Sequence, residues 1–367
     1  MNAHTQATRA PRLHRRLMQY DPVLGYRFVP RLKLRIPHEG GGYLVKTNGD
    51  GFRCDHQVTP HKNRAHRVLV FGDSFTAGDG VSNGKRYSDV LEENLCDTEV
   101  LNFGLSNSGT DQQYLIFQQY AGKIDYDAVV IGLLVENIQR NIVRERGWAD
   151  HSGETICVPK PWFELSPGGG LTLKGVPVPL PYKPDVATAR ESRRRSLRTN
   201  LREMVNKLGP DFKDFCQWLT KFQPLPEYGS AGSIGWKLLH AILDKWVSEL
   251  TVPAVIAVIP VYQYVEETAN YKDIRRRFDE LAQSIDVPIY HVVDDLQREP
   301  AGTRRQLRFR TDCHLTPTAH RIIGQALAKL VAPLLGAEPT RDTGPQFDPA
   351  VASVDVRQAS PSEGIGT

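Results

Sequence analysis

The sequence predicts an α/β fold of three layers, in which helices cover both faces of a doubly wound parallel sheet. Three observations support this prediction. Residues 68–71 and 128–134 are short, continuous apolar runs, as expected for strands that are buried on both faces. Segments with helical periodicity separate the apolar runs. The alternation resumes at residues 253–260 after a long interruption, so one sheet is built from two parts of the chain.

The chain divides into five predicted regions. Residues 1–19 are expected to form a flexible, basic arm. Residues 20–65 are expected to form an N-terminal β lead-in, because alternating apolar and basic residues surround the turn-forming segment 48–51. The core covers residues 66–145 and 250–335. Its expected strands lie at 68–71, 99–103, 128–134, 253–260 and 287–293, and its expected helices at 87–95, 111–120, 270–284 and after residue 314.

The βα rhythm breaks between the two halves of the core. Residues 146–249 are therefore predicted to be an insertion or cap, with a Pro- and Gly-rich irregular part at 146–186. Helical patterns follow within it at 187–207, 211–222 and 234–250. The polar segment 336–367 is predicted to be a disordered tail.

The composition argues against several functional classes. A net charge of +4 over 367 residues argues against dedicated nucleic-acid binding. Five scattered cysteines predict neither a disulfide framework nor a zinc site, and we expect no metal and no cofactor. The sequence shows no secretory signal and no apolar run of about eighteen residues, so we expect a cytoplasmic protein without an integral membrane segment. The oligomeric state stays open.

A candidate nucleophile follows the first core strand. In the segment Gly72-Asp73-Ser74-Phe75-Thr76, a serine stands at the carboxyl end of a parallel strand, where α/β folds place their sites. Gly72 permits the tight turn that exposes the hydroxyl. The alternative is an ordinary turn in which Ser74 only caps a helix.

A candidate base lies near the other end of the core. His314 stands in a loop just before a helix, since Thr316 and Pro317 suit the cap and the first helical position. Asp312 is two residues away and could orient the imidazole, as an acyl-transfer base requires. The spacing leaves open whether Asp312 or a backbone carbonyl does so.

Two further residues follow strands and could stabilise an oxyanion. Gly104 could donate its N–H after the second strand, and Asn137 its side-chain amide after the third. Asp73, Arg140 and Asn141 are candidate substrate contacts. Ordinary structural roles are open for Gly104 and Asn137 alone, but Ser74, Gly104, Asn137 and His314 are all expected at one edge of the sheet.

Four blocks in this order resemble the SGNH/GDSL hydrolase family, which is named for Ser, Gly, Asn and His. The blocks are VFGDSFTAG, LNFGLSNSG, IGLLVEN and DCHLTPTAH. The resemblance covers residues 66–145 and 250–335. It departs from the family pattern where Ile138 follows Asn137 and where a single residue separates Asp312 from His314.

The resemblance implies a three-layer sheet of the SGNH/flavodoxin-like kind and a serine esterase mechanism. Ser74 would be the nucleophile and His314 its base, with Asp312 orienting the base. The Ser74 and Gly104 N–H groups and the Asn137 side chain would form the oxyanion hole. The expected reaction is hydrolysis of a short acyl ester, acetyl by preference, on a carbohydrate or glycosylated small molecule. An O-acyltransferase with the same site and a non-catalytic carbohydrate-binding protein are the alternatives.

Overall fold

The computed structural model describes residues 17–149, 155–166, 168–183, 219 and 222–336. The strands within these residues are β1 (Met18–Asp21), β2 (Gly25–Phe28), β3 (Lys33–Ile36), β4 (Tyr43–Lys46), β5 (His66–Gly72), β6 (Thr98–Asn102), β7 (Ala128–Leu134), β8 (Glu145–Ala149), β9 (Thr155–Pro159), β10 (Trp162–Leu165), β11 (Leu171–Lys174), β12 (Ala254–Ile259) and β13 (Ile289–His291). The α-helices are α1 (Ser74–Ala77), α2 (Tyr87–Glu93), α3 (Thr110–Tyr120), α4 (Asn137–Arg140), α5 (Ile234–Ser248), α6 (Tyr262–Val265), α7 (Lys272–Ala282), α8 (Val292–Leu296) and α9 (Pro317–Val331). Short 3₁₀ turns occur at Pro226–Gly229, Arg304–Leu307 and Ala332–Leu335.

A five-stranded sheet with the strand order β6–β5–β7–β12–β13 forms the centre of the fold. All neighbouring strands in it run parallel. The chain first moves outward from β5 to β6 and then adds β7, β12 and β13 on the other side, so the winding reverses between β5 and β7. The predicted doubly wound parallel sheet is confirmed. In such sheets, ligands bind beyond the carboxyl ends of the strands at this reversal.

Apolar cores cover both faces of the sheet, because successive strand residues point to opposite sides. On one face Leu69 and Phe71 enter a core that also holds residues of α3, α5 and α7. On the other face Val68 and Val70 pack in a core with residues of α2 and α9. Strand β5 is therefore apolar throughout its centre, as its sequence predicts.

The region predicted to be an insertion contributes to the core. Helix α5 was expected within it, yet Trp246 of this helix is fully buried with its ring 5.4 Å from that of Phe71 in the central strand. The segment expected to be irregular contains two antiparallel hairpins, β8–β9 and β10–β11. The helices predicted at 187–207 and 211–222 lie outside the described residues, apart from Leu219 and Phe222.

The predicted N-terminal β extension is present as two hairpins, β1–β2 and β3–β4. The turn expected at residues 48–51 also forms, with the Asn48 carboxamide oxygen accepting the N–H groups of Asp50 and Phe52. It follows β4 rather than joining two paired strands, and the predicted arm and tail fall outside the described residues except at their inner ends. Among the helices that the structure describes, none has the length and apolar character needed to cross a membrane.

Candidate active site

Ser74 begins helix α1 directly after strand β5. The Asp73 carboxylate caps this helix by accepting the N–H of Phe75 at 3.0 Å. Gly72 is required for the turn, because a Cβ there would lie 1.8 Å from the Thr76 hydroxyl and 2.7 Å from the carbonyl oxygen of Gly132. The strand end therefore places the Ser74 side chain at the carboxyl edge of the sheet, at the reversal between β5 and β7.

A cavity of about 390 Å³ lies over Ser74. Ser74 is 5% exposed, so its side chain is accessible chiefly from this cavity. Apolar side chains of the wall come from β1, α1 and β8, and polar ones from the loops after α1 and β6 and from α4. The lining residues are Met18, Ser74, Phe75, Asp79, Ser106, Asn107, Arg140, Gly147, Trp148, Cys313 and His314.

His314 lies in the loop before α9, which begins at Pro317 as the sequence predicts. Its Nδ1 atom lies 2.6 Å from Oδ1 of Asp312, and its backbone N–H donates to the same oxygen at 3.1 Å. The carboxylate thus contacts the imidazole despite the short spacing in sequence. Of the two orienting groups that the sequence left open, the structure places Asp312 against the imidazole nitrogen.

The charges around this pair set its protonation. Burial acts to lower the pKa of His314, but the hydrogen bond with Asp312 and the charges of Asp79 and Asp73 outweigh it and raise the pKa above its ordinary value. Burial acts to raise the pKa of Asp312, but the hydrogen bonds and charge of His314 and the hydrogen bond of His38 bring it well below its ordinary value. Asp312 is therefore ionised at neutral pH, and the imidazole is more basic than a free one.

Ser74 and His314 line the same cavity, and the ring of His314 lies 5.0 Å from that of Phe75, the residue after Ser74. Within the described residues, no hydrogen bond joins the Ser74 hydroxyl to the imidazole. Serine–imidazole bonds in active sites often tighten only when substrate binds. The arrangement brings a hydroxyl and an oriented imidazole to one space.

Gly104, the residue predicted to donate its N–H to an oxyanion, is not among the residues that line the cavity. Its N–H donates to Oδ1 of Asn102 at 2.8 Å, so the amide is already bonded. A Cβ at position 104 would lie 2.4 Å from the backbone nitrogen of Ala77, so the glycine is required for close packing behind helix α1.

Asn107 lines the cavity where Gly104 was expected to do so. Its backbone is in the left-handed region, with φ of 70°, a conformation that asparagine adopts more readily than most residues. In the described part of the chain, the N–H groups of Ser74 and Asn107 donate to no protein acceptor. The local signal for Asn107 was its place in the Ser106-Asn107-Ser108-Gly109 turn, but spacing alone did not distinguish it from Gly104.

Asn137 begins helix α4 after strand β7, beside the strand that carries Ser74. Its side chain is completely buried, and neither its Nδ2 nor its Oδ1 atom has a hydrogen-bond partner among the described residues. It is not one of the cavity-lining residues. A buried amide without partners costs about 1–3 kcal/mol, so this side chain does not stabilise the fold through hydrogen bonds to the described residues.

The three candidate substrate contacts differ in position. Arg140 lines the cavity and pairs with Asp73 at 2.6 Å and with Glu136 at 2.7 Å. Asp73 is completely buried beneath the Ser74 turn. Burial raises the pKa of its carboxyl group, although the positive charge of Arg140 acts to lower it. Asn141 is also buried and accepts the N–H of Asp111 at 3.3 Å. Asp73 and Asn141 therefore support the site from behind and do not line the cavity.

Sequence reasoning missed contacts from distant parts of the chain. Met18 of β1 and Trp148 of β8 supply part of the apolar wall. His38 contacts the second oxygen of Asp312, with Nε2 at 3.1 Å from Oδ2. No local pattern marks these residues, because each reaches the site only through the tertiary fold.

One group near the cavity has the side chains that could hold a metal ion. Potential ligand atoms of Asp312, Cys313 and His314 lie within 4.8 Å of one another. Both oxygens of Asp312 already contact imidazole nitrogens, and burial together with the Asp312 charge raises the pKa of the Cys313 thiol to about 11. A thiol in that state is a poor ligand at neutral pH, so the group is better suited to proton transfer.

The fold and the site together define a class: an α/β protein whose sheet edge presents a serine hydroxyl and an aspartate-bound imidazole to one cavity. Such an arrangement has the parts that nucleophilic acyl transfer requires. No protein-family model matches the chain, and no curated protein matches it.

Several solved structures are similar to this chain. A member of the lipolytic protein G-D-S-L family from Veillonella parvula is 12% identical, with 71% of this chain and 96% of that chain covered and a TM-score of 0.37. A lipase/acylhydrolase from Enterococcus faecalis is 11% identical, with 72% and 95% covered and a TM-score of 0.36. A lipase from a goat rumen metagenome is 12% identical, with 72% and 96% covered and a TM-score of 0.37.

Proposed function

We propose that the protein is a serine esterase of the SGNH/GDSL type, with Ser74 as nucleophile, His314 as base and Asp312 as the group that orients the base. The observation that carries this proposal is that Ser74 and the Asp312-bound His314 line one cavity at the carboxyl edge of a parallel sheet. The four sequence blocks that resemble the family agree with this reading.

In the proposed reaction, the Ser74 oxygen attacks the ester carbonyl while Nε2 of His314 takes the hydroxyl proton. The tetrahedral intermediate collapses when the C–O bond to the alcohol breaks, and His314 returns the proton to the leaving alcohol. Water then attacks the acyl-serine with His314 again as base. The carboxylic acid leaves, and the Ser74 hydroxyl is restored.

The oxyanion needs donors that the protein does not already use. The Ser74 and Asn107 N–H groups meet this condition within the described residues, and Asn107 lines the cavity. The Asn137 amide does not line the cavity, but it begins α4 beside the Ser74 strand and has no partner among the described residues, so we propose that it becomes the third donor when substrate binds. In this assignment Asn107 takes the role that the sequence gave to Gly104.

The cavity favours a small ester. Its volume of about 390 Å³ lies at the lower end of the range for small-molecule sites, so a short acyl group is favoured over a long lipid chain. Met18, Phe75 and Trp148 offer an apolar wall for the acyl group. The Ser106 hydroxyl donates to Oδ1 of Asp79 at 2.7 Å, and its oxygen can still accept a hydrogen bond from a polar alcohol. We propose a short acyl ester, acetyl by preference, on a carbohydrate or glycosylated small molecule.

The test is release of acetate from acetylated sugars and from an aryl acetate. The parent protein is expected to release acetate, and the variant Ser74→Ala to lose at least about 10³ of kcat. Ser284→Ala, which changes a serine exposed beyond helix α7, is the matched control and is expected to behave as the parent. Parent-like activity of Ser74→Ala would refute the proposal.

The same site could transfer the acyl group to a sugar hydroxyl in place of water. Free acetate and acetylated sugar are therefore measured together after an unacetylated sugar acceptor is added. We expect release to exceed transfer, because the cavity opens to solvent. Transfer in excess of release would replace the esterase with an O-acyltransferase.

A further inference from the structure

The loop that carries Asp312 is fastened to the turn between β3 and β4, in the N-terminal hairpin. The Glu39 carboxylate accepts the N–H of Thr311 and of Asp312, both at 2.8 Å, through Oε1, and the N–H of Arg310 at 3.0 Å through Oε2. The Thr311 hydroxyl donates to the same carboxylate at 2.7 Å. One side chain thus fixes three consecutive peptide groups of the loop.

The residue beside Glu39 contacts the Asp312 side chain itself. His38 Nδ1 accepts the N–H of Gly40 at 3.3 Å, so this nitrogen carries no proton in that hydrogen bond. The other nitrogen, Nε2, is then the donor to Oδ2 of Asp312 at 3.1 Å. The second oxygen of the carboxylate, Oδ1, lies 2.6 Å from Nδ1 of His314. Asp312 is therefore held between two imidazoles.

Packing fixes the ring of His38 in this position. Its centroid lies 4.4 Å from that of Phe309 and 5.6 Å from that of Tyr43, both in edge-on geometry. The Phe309 ring fits between two glycines, because a Cβ on Gly40 or on Gly80 would lie 2.8 Å or 2.6 Å from it. The turn between β3 and β4 and the loop that carries Asp312 therefore form one packed unit.

We propose that His38 is a positioning residue for the reaction. From the turn of the β3–β4 hairpin, it holds Asp312 against His314. This inference rests on the proposed function. A carboxylate bound at one oxygen can rotate about its Cβ–Cγ bond, whereas one bound at both oxygens keeps its plane. His38 acts through Asp312 and does not line the substrate cavity.

The variants His38→Ala and His38→Gln test the proposal. His38→Ala removes the donor and is expected to lower kcat about tenfold with KM within about twofold of the parent. His38→Gln carries an N–H near the position of Nε2 and is expected to restore most of kcat. His61→Ala is the matched control, since His61 forms an exposed pair with Asp125 at 2.9 Å, and its kcat is expected to equal that of the parent.

A second measurement does not depend on activity. We expect the proton between His314 Nδ1 and Asp312, whose heavy atoms lie 2.6 Å apart, to give a low-field NMR signal. This signal is expected to move upfield and exchange faster with water in His38→Ala, and to recover in His38→Gln. A parent-like kcat and signal in His38→Ala would overturn the proposal. The proposal would also be overturned if His38→Ala and His38→Gln lost kcat equally, with an unchanged NMR signal and an equal fall in Tm. That result would show that His38 acts only through its packing.

Failure of the proposed function gives a different pattern. If Ser74→Ala keeps the parent's activity, the esterase assignment falls, and the NMR signal alone decides the role of His38. A changed signal in His38→Ala then supports positioning of Asp312, and an unchanged one refutes it.

Discussion

The Nδ1 atom of His314 lies 2.6 Å from Oδ1 of Asp312, two residues earlier in the chain. The same oxygen accepts the backbone N–H of His314, so the contact closes a tight local ring. This contact holds a proton on Nδ1 and leaves Nε2 of the neutral imidazole to accept one. The pair thus supplies a base with a defined tautomer to the cavity above Ser74.

The pH dependence of kcat/KM reports the protonation of this base. His314 acts only when neutral, and its pKa in the folded protein lies above the ordinary value of 6.5. Protonation of His314 is therefore favoured, and we expect kcat/KM to fall with decreasing pH around a midpoint above 6.5. The measurement is kcat/KM for an aryl acetate between about pH 4 and 9. A midpoint clearly below 6.5 would contradict the assigned surroundings of His314.

Asp312→Asn keeps the size of the side chain and removes its charge. The charge and hydrogen bond of Asp312 help to raise the pKa of His314, so we expect the acid limb of the pH profile to move to lower pH. We also expect kcat to fall by up to about 10⁴, because an amide can hold the wrong imidazole tautomer. Asp294→Asn is the control, since its carboxylate pairs with the exposed Arg275 away from the cavity. A parent-like rate in Asp312→Asn would show that another group orients His314.

Asn137→Ala separates catalysis from stability. If the amide stabilises the oxyanion, kcat falls about 10²–10³-fold with little change in KM. Because both polar atoms of this buried side chain lack partners among the described residues, we expect little change in the free energy of unfolding: removal of the unpaired amide offsets the cost of the small cavity that alanine leaves. Urea denaturation and steady-state kinetics on the same preparation measure both. A large loss of stability with unchanged kcat would assign Asn137 a structural role.

Arg67→Met tests a buried ion pair at the opposite edge of the sheet. Arg67 and Glu99 are both almost fully buried and lie 2.8 Å apart, so removal of the cation leaves a buried carboxylate unpaired. We expect a loss of about 3–5 kcal/mol in the free energy of unfolding, with kcat/KM of the remaining folded protein unchanged. Arg64→Met, at a partly exposed arginine that lies 3.9 Å from Glu92, is expected to cost less than about 1 kcal/mol. Equal losses in the two variants would contradict this account of the pair.

The sequence predicts best what depends on local pattern. Apolar runs located β5, β7 and β12 to within two residues, because strands buried on both faces are continuous in sequence. Thr316 and Pro317 are residues that favour the start of a helix, so the local sequence also placed His314 just before α9. Periodicity predicts that α5 has an apolar face, but it does not predict that this face packs on the central sheet. The sequence alone therefore places this helix in the insertion.

Contacts between distant segments could not be predicted in this way. In the loop after β6, two features decide which N–H faces the cavity. The Gly104 N–H is bonded to the Asn102 side chain, and the backbone of Asn107 is left-handed. Neither follows from the spacing of the block. His38 and Asp312 are separated by 274 positions, so only the docking of the N-terminal hairpin joins them. The hairpins β8–β9 and β10–β11 were missed because prolines and glycines obscure the alternation of their strands.

Whether Ser74 is the nucleophile is tested by locating the covalent adduct of a fluorophosphonate probe by mass spectrometry of the digested protein. We expect one adduct, on the peptide that contains Ser74, and we expect it to form much more slowly in the variant His314→Ala. An intact protein that takes up no probe, or an adduct formed at a residue other than Ser74, would contradict this assignment.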